Sequence, residues 1–139
     1  MYISTNLARV AEEIRQAAVT CGRDPKEITL VAATKTQSDD TIRQAIAAGV
    51  QVCGENRVQE LTAHFEAGAY QGAHVHFIGH LETNKVKYLM GKGDLIHSVS
   101  SQKLPLGIDR QAHKAGIIQD ALLEVTMAQD TSNSGLLNS

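Results

Sequence analysis

The chain has no tryptophan, and its aromatic residues are few: three tyrosines and two phenylalanines in 139 residues. Single-stranded nucleic acid needs aromatic faces for its bases to stack on, and the scarcity argues against such a platform. An excess of one charge is missing too. Thirteen Lys and Arg stand against fifteen Asp and Glu, a formal net charge of -2, and the basic residues are scattered. With no basic patch to hold a phosphate backbone or an anionic bilayer, neither nucleic acid nor a membrane is expected as a partner. Cys21 and Cys53 are the only cysteines. Two cannot build a disulfide framework, so a reducing, cytoplasmic location is expected. No run approaches the roughly 18 apolar residues of a membrane span. The N-terminus reads as an amphipathic helix without the apolar core of a secretory signal.

What is present is a regular alternation of helix and strand. The length suggests one domain, and a chain of about 150 residues buries about 68–70% of its unfolded surface. Leu7, Val10, Ile14, Ala17 and Cys21 recur at helical spacing, with Ser4 or Thr5 as a cap and Gly22 as a left-handed stop. Residues 28–34 form a continuous apolar, partly β-branched run of the kind a parallel strand needs when both faces are covered. Further strands are predicted at 50–53, 74–78, 95–99 and 120–127. Helices are predicted at 38–48, 56–67, 84–90 and, less regularly because of Pro105 and Gly107, 101–115. Connections of helical length are the crossovers parallel strands require. The fold class is therefore α/β. By pattern alone the favoured architecture is an open, doubly wound five-stranded sheet. The competing one is the first five βα units of a barrel, which when complete takes about 250 residues.

Three strand ends carry the candidate chemistry, because ligand crevices of parallel α/β proteins lie at the C-terminal ends of the strands. Lys35 closes the first apolar strand in Leu30-Val31-Ala32-Ala33-Thr34-Lys35-Thr36, where its amine can attack a carbonyl. Most lysines in loops are simply solvated, but few follow a wholly apolar strand. Asn56 lies in Gly54-Glu55-Asn56-Arg57-Val58-Gln59-Glu60, and reads either as a helix cap or as an amide facing a cofactor. His80 follows the third strand in His76-Phe77-Ile78-Gly79-His80-Leu81-Glu82-Thr83-Asn84-Lys85. His76 and His80 lie more than about 10 Å apart in extended chain at ~3.3 Å per residue, which speaks against a metal pair. Cys53 has no identifiable His–Asp partner and reads as a core cysteine. Gly91-Lys92-Gly93 lacks the spacing of a phosphate-binding loop.

Taken together and in order, Thr34-Lys35-Thr36, the Gly54–Glu60 run and the His76–Lys85 run resemble the pyridoxal phosphate homeostasis protein family, also called the YggS or PROSC family. Ile96-His97-Ser98-Val99 and Leu122-Leu123-Glu124-Val125 extend the likeness. The resemblance implies a partial (β/α)8 TIM-type barrel like the N-terminal domain of alanine racemase, with five βα units after an N-terminal helix. It implies pyridoxal 5′-phosphate (PLP) as cofactor, held by Lys35 as an internal aldimine, with Asn56 beside it and His80 near the same pocket. The implied role is storage and delivery of PLP in vitamin B6 homeostasis, with PLP-dependent apoenzymes as partners and without established turnover. A racemase-like enzyme and an inactive fragment are the alternatives. The family continues through further barrel strands that carry its phosphate-binding loop. Residues 1–128 are accordingly expected to form the N-terminal portion of a PLP-binding barrel domain, and 129–139 a divergent, disordered tail.

Overall fold

A computed structural model describes residues 2–126 and 136–137. Helix α1 (Tyr2–Thr20) leads into a short 3-10 turn at Pro25–Glu27, and the chain then alternates: β1 (Val31–Ala33), α2 (Asp39–Ala47), β2 (Val52–Glu55), α3 (Val58–Glu66), β3 (His74–Phe77), α4 (Val86–Leu89), β4 (Leu95–Val99), α5 (Lys103–Ala115) and β5 (Asp120–Leu123). Beyond β5, β6 (Val125–Thr126) pairs in parallel with β7 (Leu136–Leu137). Apart from Leu136–Leu137, the expected tail lies outside the described residues.

Local chemistry explains the boundaries. Ser38 caps α2 by accepting from the Thr41 amide at 3.1 Å, and Asp39 and Asp40 meet the positive end of the helix. Helix α5 ends on Gly116 in the left-handed region, φ 69°. Helix α1 starts at Tyr2, ahead of the expected caps Ser4 and Thr5. The helix expected at 84–90 is a 3-10 turn, Thr83–Lys85, followed by a single α turn.

All five strands are parallel and lie in the order β1-β2-β3-β4-β5. This corrects the doubly wound sheet favoured by pattern alone. A doubly wound sheet reverses direction at a switch point so that helices cover both faces. Here each strand joins the outer side of the one before, and right-handed crossovers then put every helix on the same face. The order is that of a barrel arc.

Burial agrees with a single covered face. Ile42 of α2, Leu61 of α3, Leu89 of α4 and Leu104 of α5 pack with Cys53, Val75, Phe77 and Ile96 of the strands in one core. Strand side chains alternate between faces, so Gly54, His76, Leu95 and His97 point the other way. On that second face His76 Nδ1 and His97 Nε2 lie 2.9 Å apart.

Partial burial, and next the neighbouring His97, hold the His76 imidazole below its usual value. The charge of Asp94 opposes this, and that of His74 adds to it. The unfolded chain then binds a proton that the folded chain refuses. Stability is expected to hold above about pH 6.5, the ordinary histidine value, and to fall as pH drops through the lower folded value. Urea midpoints at pH 7.5 and 5.5 will show this loss, and His76→Gln should reduce it. An unchanged pH dependence in that variant would assign the loss to other groups.

Candidate functional site

Ala33 pairs with Gly54, and Gly54 with His76. Two residues further along each segment stand Lys35, Asn56 and Ile78, just past the ends of β1, β2 and β3, and they make up the next row in sequence register. The ladder extends toward it through Thr34 N–H to Gly54 O at 2.9 Å and Ile78 N–H to Glu55 O at 2.8 Å. Lys35 and Asn56 therefore both follow strand ends at the C-terminal edge of the sheet, Lys35 within a turn closed by Gln37 N–H to Thr34 O at 3.2 Å. Lys35 is exposed and has no ion-pair partner among the described residues. His80 is exposed as well, three residues beyond the end of β3.

Asn56 is not the cap of α3. That position falls to Arg57, which makes no side-chain capping bond. The capping explanation open at the sequence level is thereby removed, and Asn56, half-buried beside Lys35's row, is left without a structural task. Gly79 explains how close the strand ends sit. A Cβ placed there would meet the Asn56 carbonyl oxygen at 2.1 Å, so only glycine permits this approach.

The turn after Lys35 is strained. Thr36 adopts φ 61°, a left-handed conformation that β-branched residues avoid. It is held there by two bonds: Thr36 N–H to Glu60 Oε2 at 3.2 Å, and Thr36 Oγ to Lys35 O at 2.6 Å. Backbone strain of this kind costs about 1–3 kcal/mol and gathers at functional sites.

Beneath the turn lies a polar network that sequence reading missed. Glu55 is fully buried; its Oε2 accepts the Tyr70 hydroxyl at 2.6 Å, and its Oε1 has no hydrogen-bond partner. Burial, then the bond to the Glu55 carboxylate, drives the Tyr70 phenol far above its usual value, so it stays a donor. His64 Nδ1 lies 2.6 Å from Asp39 Oδ1, and its Nε2 lies 3.6 Å from Glu55 Oε2. The spacing of Glu60 and His64, four apart on one helix, was the available signal. Glu55 gave none, since it sits past the apparent end of its strand. Cys53 is fully buried, as read from sequence. His76 pairs with His97 and not with His80. A cavity of about 380 Å³ between α5 and β5, lined by Val99, Ile108, Ala112 and Leu123, lies apart from Lys35's row.

The parallel α/β arc has the strand order of a (β/α) barrel, with a lysine just past its first strand at the edge where such folds place their ligand sites. No protein-family model matches the chain. The chain is homologous over nearly its whole length to pyridoxal phosphate homeostasis proteins. It is 42% identical over 136 residues to that protein of Aquifex aeolicus, covering 98% of this chain and 60% of the relative. It is 34% identical over 137 residues to that of Escherichia coli strain K12, covering 96% and 58%. Among solved structures, an unknown protein from Bifidobacterium adolescentis superposes with TM-score 0.86 at 35% identity, over 98% of this chain and 59% of that one. PipY of Synechococcus elongatus, solved with PLP bound, superposes with TM-score 0.71 at 32% identity, over 88% and 57%. The chain thus spans about 60% of the length of the relatives it matches. No described helix is long and apolar enough to cross a membrane.

Proposed function

We propose that this chain binds PLP through Lys35 and serves vitamin B6 homeostasis as a carrier rather than a catalyst. The observation that carries the reading is the row of Lys35 and Asn56 at the ligand edge of a barrel arc, in a chain similar to a protein solved with PLP. The donor set fits the aldehyde end of the cofactor. An accessible amine without a competing carboxylate condenses with an aldehyde, forming a C=N bond and releasing water. Asn56, released from capping, offers an amide beside that bond. His80 is exposed beyond β3 and lines the approach. The names of the relatives speak for balance of the vitamin pool, and PLP-dependent apoenzymes are the recipients in this reading.

Residues 1–128 act in this proposal as a portion of a PLP-binding barrel domain, and 129–139 take no part. The phosphate end is the weaker one. A charge-assisted hydrogen bond contributes about 1.5–3 kcal/mol, and the resemblance places the phosphate contacts in strands beyond β5.

Borohydride reduction in the presence of PLP, followed by peptide mass mapping, tests the assignment. The label is expected on the peptide that carries Lys35. Labels on other lysines with an unmodified Lys35 would sink it.

A further inference from the structure

We propose that Glu55, Glu60 and His64 form a divalent-cation site beneath the Lys35 turn. One ligand atom from each of the three lies within 4.8 Å of the others. The proposal is independent of PLP, since none of the three residues belongs to the row of Lys35 and Asn56.

Each group presents a free lone pair. A carboxylate accepts and does not donate, so the 2.6 Å contact with Asp39 calls for a proton on Nδ1, and in the neutral tautomer Nε2 then carries a lone pair toward Glu55. Metal-bound histidines are commonly held in this way, by a carboxylate on the far nitrogen. Glu55 and Glu60 each use Oε2 within the protein, one for the Tyr70 hydroxyl and the other for the Thr36 amide. Glu55 Oε1 is buried with no hydrogen-bond partner. A fully buried carboxylate with an unused oxygen and no lysine or arginine bonded to it calls for a positive charge.

Binding an ion would draw the three groups together from their present spacing of up to 4.8 Å. Ligand atoms about 2.1 Å from a tetrahedral ion stand about 3.4 Å from one another. His64 Nε2 already lies 3.6 Å from the Glu55 carboxylate, at the Oε2 that also accepts from Tyr70, with the unused Oε1 on the same group. One imidazole with two carboxylates, and no thiolate, suits Zn2+ or Mn2+. Because Glu60 also holds the Thr36 amide, an ion here would brace the strained turn that carries Lys35.

The test loads EDTA-treated, reduced protein with Zn2+ and counts the metal kept after gel filtration. One equivalent is expected. His64→Ala and Glu60→Gln should each abolish retention, and Asp39→Asn should weaken it by about 10–100-fold, as changes behind a ligand do. His97→Ala should leave it intact, which separates this site from the His76–His97 pair. Circular dichroism confirms the fold of each variant, and the partly exposed Glu60→Gln decides the matter if His64→Ala does not fold. With Co2+ the visible spectrum should show a low-coordinate ion without a sulfur charge-transfer band. No retained Zn2+, retention lost only in His97→Ala, or retention unchanged in Glu60→Gln would overturn the proposal.

Discussion

Replacing Lys35 by alanine is expected to abolish the Schiff-base absorbance that PLP develops with this protein. Retention of the cofactor should fall at least about a hundredfold, equivalent to about 2.8 kcal/mol. Lys35→Arg should behave the same way, since a guanidinium keeps the positive charge but does not condense with an aldehyde. Both proteins should unfold within about 0.5 kcal/mol of the parent, because Lys35 is exposed and makes no ion pair among the described residues. The contrast is with Lys85 and Lys92, which lie 3.8 Å from Glu82 and 3.6 Å from Glu66. Alanine at either should leave the absorbance band in place. A band that survives in Lys35→Ala and disappears in Lys85→Ala would move the anchor and end the present assignment.

Gly79→Ala is expected to damage fold and site together. The new Cβ would lie 2.1 Å from the Asn56 oxygen, 2.7 Å from its carbonyl carbon and 2.8 Å from its Cα. Overpacking a core typically costs about 1–3 kcal/mol, when side chains can shift. Here the obstacle is backbone, so at least about 3 kcal/mol is expected, a large part of the 5–15 kcal/mol that holds an ordinary domain together. The only relief is to part the ends of β2 and β3, which carries Asn56 out of Lys35's row. Two other glycines calibrate the measurement. At Gly54 a Cβ meets the side chains of Val31 at 2.8 Å and Ile78 at 2.9 Å, and Gly54→Ala should fall in the ordinary overpacking range. At Gly93 nothing lies within 4 Å, and Gly93→Ala should be near neutral. Urea midpoints that fail to separate Gly79→Ala from Gly93→Ala would contradict this close approach.

Part of this architecture is legible in the residues. Leu95–Val99 is a strand at its expected bounds, carried by the apolar, partly β-branched Leu95, Ile96 and Val99. Gly22 and Gly49 stop α1 and α2 in the left-handed region, φ 76° and 119°, as a glycine after an apolar helical face foretells. Strand order was not legible, because an apolar parallel strand has the same composition in a singly or a doubly wound sheet. The pairings of β2 with β3 and of β3 with β4 together decide it, because doubly wound sheets pair β1 with β2 as well. The site divides in the same way. Lys35 and Asn56 are visible because each follows an apolar run. The partnership of Glu55, His64 and Tyr70 depends on register and on which helix face meets the sheet, and no local pattern records either.

The sequential order of the strands has a kinetic consequence. Each strand pairs with its chain neighbour, at separations of roughly twenty residues, from Val31 with Val52 to Leu95 with Asp120. No pairing within the described five-stranded sheet waits for a distant segment, so its loop-closure entropy is met in small, nearly equal instalments. A growing chain can add one βα unit at a time onto the edge the last one exposed. The order of synthesis is then also the order of assembly, and Lys35, on the first strand to emerge, acquires its neighbour Asn56 as soon as the second is complete.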